Sequence, residues 1–483
     1  MRVTVANPPW PGEGFGARSD VRWPHRRKDK YIEYPIYLAY TVAVLEEAGL
    51  EPSFIDAIMD ELDIAAFVQR VAELNPALLV MECSTPSIRH DLETAAEVKK
   101  ALPSIKVALI GSHSTFFHQE ILRENLPVDA IVRGEFEITV RELARAMAEG
   151  SDWSAVEGLS YRKGDDVVVN PDRPLIEDLD TGVPFPARHI VKTTGYRAAI
   201  YSGEKCTSVV SSRGCPFQCT FCVWPNTLYG HRFRARSATN VVNEMEEIEK
   251  KYGIDEIYFD DDTFTVDRQR VLDICRMVRE RNLHLSWICQ ARVDTVDREV
   301  LLAMKEAGCH YILFGIESGS PEMLAIMKKR ITLDKAREAI RLCNEVGIKT
   351  QAFFLFGMPG ETQETIQQSI DFAKELGAST VQFAVAIPQP GSPLYQQCVE
   401  NGWLIYKDWE DFAACQAMVE TPQLTREETE KARVRAYREY YFRPQFIVRE
   451  AMRIRHPRDV RRLIRGARSV LARLSFFRSA RSS

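Results

Sequence analysis

The sequence predicts an α/β protein built on two sheets: an N-terminal doubly wound parallel sheet, a partial (β/α)6 barrel and a helical C-terminal tail. Three observations predict it. Short β-branched runs alternate with amphipathic stretches over residues 1–150, the same rhythm resumes at Thr207 for six further units, and sixteen Lys and Arg against three Asp and Glu crowd the chain from Lys431 onward. Strands that alternate with helices need crossover connections and so give parallel sheets. Six units fall short of the eight that close a full barrel.

The elements follow in order. Residues 1–150 give five strands, RVTVA, PSFIDA, ALLVMEC, KVALIG and DAIVRGE, with helices over IYLAYTVAVLEEAG, near 62–74 and near 88–101. Pro35 suits the first turn of the first helix and Gly49 the position past its end, while Asn7-Pro8-Pro9 forces the chain out of the first strand into a loop. Residues 151–205 lose the rhythm: SYRKGDDVVVNP reads as a hairpin, and Pro171, Pro174, Pro184 and Pro186 as an extended linker. The barrel, residues 206–403, takes its strands from TSVVSS, EIYFD, LSWICQ, YILFGI, KTQAFFLFG and TVQFAVA. Residues 404–483 form the helical, basic C-terminal region.

At 483 residues the chain exceeds one ordinary core. With 45% hydrophobic and 27% charged residues it reads as globular, and no apolar run approaches the ~20 residues that span a bilayer. The opening MRVTVANPPW has no signal-peptide character, so a cytoplasmic protein is expected. The tail carries a net +13, which leaves −18 on residues 1–430 of a formal total of −5. It is a separate electrostatic object.

Eleven cysteines in such a chain argue for buried or metal-bound thiols rather than disulfides. Cys83, Cys206, Cys275, Cys289, Cys309, Cys343, Cys398 and Cys415 stand alone and read as small buried hydrophobes. Cys215, Cys219 and Cys222 are clustered in the loop after the first barrel strand, spaced by three and then two residues. Three ligands are one too few for a closed site, and on a four-iron cubane they leave one iron open. A zinc site completed by His231 or a remote residue, or three unliganded thiols, are the plainer readings of the same spacing.

The loop Arg213-Gly-Cys215-Pro-Phe-Gln-Cys219-Thr-Phe221-Cys222, with an aromatic residue before the last cysteine, resembles the signature of the radical S-adenosylmethionine (SAM) superfamily. The resemblance implies a [4Fe-4S] cluster on the three cysteines, SAM bound at the open iron, cleavage to a 5′-deoxyadenosyl radical, and an external electron donor such as flavodoxin or ferredoxin. It also implies that SAM is surrounded by the strand ends. These are Asp260-Asp261-Asp262, Arg292, Gly315 to Gly319 with Glu317 and Ser318, Gly357 to Thr362 with Gly360, and Pro390-Gly391-Ser392. Carboxylates suit the ammonium and ribose hydroxyls of SAM, Arg or Ser its carboxylate, and backbone near glycines its adenine. The plainer reading makes the aspartates caps of the helix near Asp267 and Glu361 the cap of its own helix.

A five-stranded parallel domain before such a barrel is similar to the cobalamin-binding, Rossmann-like domain of the B12-dependent radical SAM enzymes. Ser112, within Gly111-Ser112-His113, and Gly134 and Glu135, within Val132-Arg-Gly134-Glu135, fall at that family's cofactor loops. No Asp-x-His-x-x-Gly stretch is present, so a cobalamin here lacks a histidine ligand of that kind. RGCPFQCTFCVWPNTLYGHRFRARS, FDDDTFTVDR, FGMPGETQETIQQSIDFAKELG, PQPGSPLYQQCVENGWL and YYFRPQFIVREAMRIRHPRDVRRLIRG resemble most the hopanoid-biosynthesis-associated radical SAM family. That likeness implies an enzyme that remodels or methylates an unactivated carbon of a lipid-like substrate, a hopanoid among the candidates. The Arg-rich, apolar stretch from Phe442 to Phe477 is expected to touch a membrane surface peripherally, the plainer reading being a solvated basic helix packed on the acidic body of the same chain. Modification of tRNA or another small molecule is the alternative, and a non-catalytic iron–sulfur protein a remote one. Nucleic acid is an unfavoured partner, because the acidic body repels a phosphate backbone and the tail has few aromatics spaced as base-stacking platforms.

Overall fold

In the computed structural model, which describes residues 1–18, 25–28, 30, 32–124, 127–196, 205–413 and 416–452, the chain begins with β1 (Arg2–Asn7), followed by a small antiparallel pair, β2 (Phe15–Ala17) and β3 (His25–Arg27). The strands β4 (Glu51–Asp56), β5 (Leu78–Glu82), β6 (Lys106–Ile110) and β7 (Ala130–Val132) then join β1 in a parallel sheet. The antiparallel hairpin β8 (Leu159–Lys163) and β9 (Asp166–Val169) extends it, giving the order β4-β1-β5-β6-β7-β8-β9. The hairpin expected in a linker is therefore part of the first sheet. β5 is buried along its whole length, as a strand covered on both faces must be.

Helices α1 (Ile36–Glu47) and α6 (Glu137–Glu149) cover one face, while α2 (Ile64–Leu74) and α3 (Ile88–Ala101) cover the other. Two short helices, α4 (Ser112–Phe116) and α5 (His118–Arg123), follow β6. α1 is buried from Ile36 through Leu45 without a polar stripe, the signature of a helix enclosed on all sides. Its outer side is taken by the second body: Tyr37 stacks on Tyr229 with ring centroids 5.4 Å apart, and the Tyr40 hydroxyl donates to the Val210 carbonyl at 3.3 Å. The segment read as a linker is packed into the same seam. Val183, Ala187 and Val191 join this core, and the buried Arg188 pairs with Glu244 at 2.6 Å.

The second sheet begins with β10 (Cys206–Val209). A two-residue antiparallel pair, β11 (Ser212–Arg213) and β12 (Arg234–Ala235), follows it. Then come β13 (Glu256–Phe259), β14 (Ser286–Ala291), β15 (Cys309–Glu317), β16 (Lys349–Phe356) and β17 (Thr380–Val385), all parallel, in the order β10-β13-β14-β15-β16-β17. The six expected barrel strands are the six observed. Helices α7 (Ala238–Lys250), α8 (Arg268–Glu280), α9 (Arg298–Glu306), α10 (Pro321–Ile326), α11 (Leu333–Val346) and α12 (Gln363–Leu376) intervene. Ser237, Asp267, Asp297, Thr332 and Thr362 cap α7, α8, α9, α11 and α12 through their side chains.

After β17 the chain forms α13 (Pro393–Glu400), an irregular bridge, α14 (Arg426–Tyr441) and α15 (Pro444–Met452). The bridge lays Trp409 against His113 and Phe117 of the first domain, with ring centroids 5.3 and 5.6 Å apart. α14 lies along β17: the Tyr437 and Tyr441 hydroxyls accept from the Phe383 and Val381 amides at 3.3 and 3.0 Å. Among the described residues no helix is long and apolar enough to cross a membrane. Phe442, Ile447 and Val448 are exposed beside α15. Most of the expected surface-binding stretch, from Arg453 on, lies outside the described residues.

Candidate functional site

The three clustered cysteines sit on residues 214–233, a loop whose two ends are the paired strands β11 and β12. Gly214 turns the chain into it at φ +79°, where a Cβ would lie 2.3 Å from the Arg232 carbonyl oxygen. The far end is fastened twice, since the Thr220 amide donates to Met327 O at 3.1 Å and the Thr220 carbonyl accepts from the Leu394 amide at 2.9 Å. Phe221 packs with Met323, Met327, Met358 and Leu394. The Arg292 guanidinium lies 3.6 Å from the Phe217 ring centroid.

Cys215, Cys219 and Cys222 are all partly exposed, whereas the seven other described cysteines are buried, and none of the ten is in a disulfide. Cys415 lies outside the described residues. His231 is turned elsewhere: its Nδ1 meets Phe217 O at 3.2 Å and its Nε2 meets Asn226 Oδ1 at 3.3 Å. Among the described residues no three metal-ligating side chains converge on one ion. Three open thiols on one loop fit a cluster's separate iron corners better than a single zinc. Burial and the nearby Asp262 push the Cys215 thiol up to about 11, so metal must displace its proton on binding.

The strand ends differ in how far their side chains are engaged with the rest of the protein. Asp261, fully buried, accepts from the Ser211 amide and hydroxyl and from the Ser212 hydroxyl at 2.6, 2.5 and 2.8 Å. It therefore ties β13 to the start of the cluster loop, and the cap of α8 is Asp267 itself. Arg292 is held by Asp294, at 2.9 Å from both Nε and Nη2, and by Lys329 O. Ser318 is buried against Ser369 at 3.0 Å and accepts from the Ser320 amide. Asp261, Ser318 and the Nε and Nη2 groups of Arg292 thus have protein partners. Asp262 remains partly exposed beside Cys215.

Glu317, at φ +69°, accepts from Lys329 Nζ at 2.9 Å, with both side chains nearly buried. Lys329 went unnoticed in the sequence. The signal was present in the run Lys328-Lys329-Arg330, whose first and last residues adopt positive φ, a cost that non-glycine residues pay where the fold demands it. At the end of β16, Gly357 and Gly360 adopt φ of +84° and +83°.

Glu361 does not cap α12. Its Oε2 accepts from the Gly357 and Met358 amides, and its Oε1 has no hydrogen-bond partner among the described residues. Burial pushes this carboxyl up from 4.5 to about 8. A raised folded-state value means that the stability is complete below the unfolded value and is lost as pH climbs through the folded one. Glu361→Gln is therefore expected to flatten the pH dependence of Tm between about pH 5 and 8, wild type losing about 4 kcal/mol relative to the variant across that range. Parallel Tm–pH curves for the two proteins would show that Glu361 ionises without cost.

In the first domain, Gly111 takes φ +116°, where a Cβ would meet Cys83 O at 2.4 Å, so the turn carrying Ser112 is restricted to glycine. Ser112 opens α4. Gly134, at φ +67°, has only Leu228 O within reach of a Cβ, at 3.9 Å. Phe116 approaches Gly391 and the Tyr395 ring. The turn that carries Gly134 and the short helix that follows Gly111 thus meet the cysteine loop and the turn after β17. Glu135 departs from expectation: it receives Arg213 at 2.7 Å, Arg234 at 2.8 Å and the Ile176 amide at 2.8 Å, which leaves neither oxygen for a ligand. A cavity of about 580 Å³ opens beside Trp10, Phe15, Ile58 and His90, yet none of its lining residues belongs to the second sheet.

The pattern of the Radical SAM superfamily matches residues 209–373, and that of the B12 binding domain matches residues 25–144. An uncharacterised methyltransferase from Pyrococcus horikoshii is 33% identical over 433 residues, covering 89% of this chain and 93% of its own. The chain belongs to the B12-binding radical SAM enzymes. Further relatives of this radical SAM enzyme include the anaerobic magnesium-protoporphyrin IX monomethyl ester cyclase of Cereibacter sphaeroides, 28% identical over 92% of this chain and 71% of its own. The hopanoid C-3 methylase of Methylococcus capsulatus is 25% identical over 80% and 72%.

Among solved structures, the radical SAM methyltransferase TsrM of Kitasatospora setae, with cobalamin and a [4Fe-4S] cluster bound, superposes with a TM-score of 0.68 at 23% identity, over 83% of this chain and 78% of its own. The cobalamin-dependent radical SAM enzyme OxsB superposes at 0.74 and 16%, over 97% and 70%. Both share the fold. The cofactors of the enzyme are accordingly a [4Fe-4S] cluster, SAM and cobalamin.

Proposed function

We propose that this radical SAM enzyme methylates an unactivated carbon of a lipid-like substrate. The observation that supports the methyl transfer is the close approach of Gly134 and Phe116 of the B12 domain to Leu228 and Gly391 of the barrel, which would bring the two cofactors near one another. The cofactors, when bound, supply an electron, a carbon-centred radical and a methyl carrier. Cys215, Cys219 and Cys222 hold the cluster. Asp262, the Glu317–Lys329 pair, Phe221, Gly357 and Gly360 line the SAM side, and Ser112 and Gly134 the cobalamin side. Asp261, Arg292, Ser318 and Glu135 fix the loops that carry them. An external donor such as flavodoxin or ferredoxin delivers the electron.

The lipid assignment is supported by the basic, apolar C-terminal stretch and by the hopanoid C-3 methylase among the relatives. Each arginine near an anionic surface adds about 1 kcal/mol to membrane attraction. The cyclase relative favours a second reading, in which the radical remodels a carbon skeleton without methyl transfer. Enzyme loaded anaerobically with cluster and cobalamin should be incubated with reductant, methyl-labelled SAM and total lipid extract, then read by mass spectrometry. A lipid that gains one labelled methyl group supports the proposal. A lipid altered without label points to the skeletal reaction, and label confined to tRNA or polar metabolites overturns the lipid assignment.

A further inference from the structure

The neck of the cluster loop contains an electrostatic anomaly. Arg213 and Arg234 are direct cross-strand partners in the two-residue ladder of β11 and β12, and like charges set opposite one another destabilise such a pair. Both are buried, with relative exposures of 3% and 4%. The neutralising charge comes from another domain. Arg213 donates to Glu135 at 2.7 Å and to Glu137 at 2.7 Å, and Arg234 donates to both oxygens of Glu135, at 3.1 and 2.8 Å. The Arg213 guanidinium lies 5.2 Å from the Tyr40 ring centroid and 5.4 Å from that of Tyr229, one aromatic from each domain.

Glu135 follows Gly134 in the turn after β7, Glu137 opens α6 two residues later, and Arg213 lies two residues before Cys215. We propose that Glu135, Glu137, Arg213 and Arg234 form a positioning clamp: the cluster loop closes its neck only when the B12 domain supplies both carboxylates, which sets the distance between cluster and cobalamin. The four residues act through the loops they hold and touch neither cofactor. A buried ion pair is a poor source of net stability but a strong source of fixed geometry, since breaking one side leaves an uncompensated charge. The clamp rests on the cofactor assignment and not on the substrate, so failure of the lipid assay leaves it standing.

The test is pulsed electron paramagnetic resonance on the full-length enzyme carrying reduced cluster and cob(II)alamin, which measures the distance between the two spins. Wild type should give one narrow distribution. Glu135→Gln leaves two facing arginines against a single carboxylate, and the distribution should broaden to about double the width. The double variant Glu135→Gln, Arg234→Gln removes the surplus arginine, restores neutrality around Arg213 and Glu137, and should recover the narrow distribution with wild-type iron and cobalamin content. If Glu135→Gln matches wild type, the clamp does not set the distance. If the double variant is no better than Glu135→Gln in width or in cofactor content, the charge argument is overturned, including the case in which Glu135→Gln alone is too unstable to load.

Discussion

Cys219→Ala enzyme, reconstituted anaerobically with iron and sulfide, is expected to retain less than about a tenth of the wild-type cluster signal and to release no 5′-deoxyadenosine from SAM. The middle cysteine belongs to a loop with no spare ligand: His231 is committed to Phe217 and Asn226, and the seven other described cysteines are buried. Loss of one thiolate thus leaves two iron corners without protein ligands. Cys343→Ala is the matched control, because Cys343 lies fully buried in the barrel core. It should cost about 1 kcal/mol of stability as a small truncation while keeping the cluster. A wild-type spectrum from Cys219→Ala, with an unchanged rate of SAM cleavage, would remove the cysteine triad from the mechanism.

Gly214→Ala is expected to empty the site almost as thoroughly without touching a ligand. At φ +79° any side chain is strained, and here a Cβ would also lie 2.3, 2.9 and 3.1 Å from the carbonyl oxygens of Arg232, Tyr229 and Gly230. These are backbone atoms and cannot swing aside. The loop must open at its neck, a distortion worth about 3 kcal/mol or more, and cluster iron per chain should fall several-fold. Gly377, after α12, also has positive φ, at +65°, but a Cβ there meets nothing within 4 Å. Gly377→Ala should therefore cost only about 1 kcal/mol and load normally. Equal iron content in the two variants would mean that close contact at Gly214 does not hold the loop.

Periodicity was a sound guide to the sheets, because strand segments such as LLVM and IYF are buried on both faces and so are apolar. It located the five parallel strands of the first sheet and the six of the barrel, but not the short β2–β3 pair. The motif located the cluster loop for a different reason: three thiols at close spacing have few other uses. Partner choice was not legible. Asp261 read as a SAM contact or a helix cap, but its partners Ser211 and Ser212 come from a neighbouring strand end, and no local pattern encodes that pairing. Glu135 read as a cofactor contact because it sits in the right turn, while the arginines that claim it lie in the other domain. Arg18, which braces the Asn7-Pro8-Pro9 loop through Asn7 Oδ1, Pro8 O and Asp91, was equally silent. The proline-rich segment after the hairpin misled in a simpler way, since few regular elements do not mean few contacts: Arg188 there is buried against Glu244.

The tyrosines of α14 bear on how an unfinished barrel survives in a crowded cell. A six-stranded arc leaves β17 as a border strand, with backbone donors and acceptors turned outward, and such borders recruit strands from other molecules. Here the Tyr441 hydroxyl accepts the Val381 amide and donates to the Val381 carbonyl at 2.6 Å, the Tyr437 hydroxyl takes the Phe383 amide, and the Tyr440 hydroxyl donates to Ala378 O at 2.9 Å. A helix has filled the hydrogen-bonding places of a seventh strand without becoming one. The β17 border of the arc is thereby hydrogen-bonded within the chain at Val381 and Phe383.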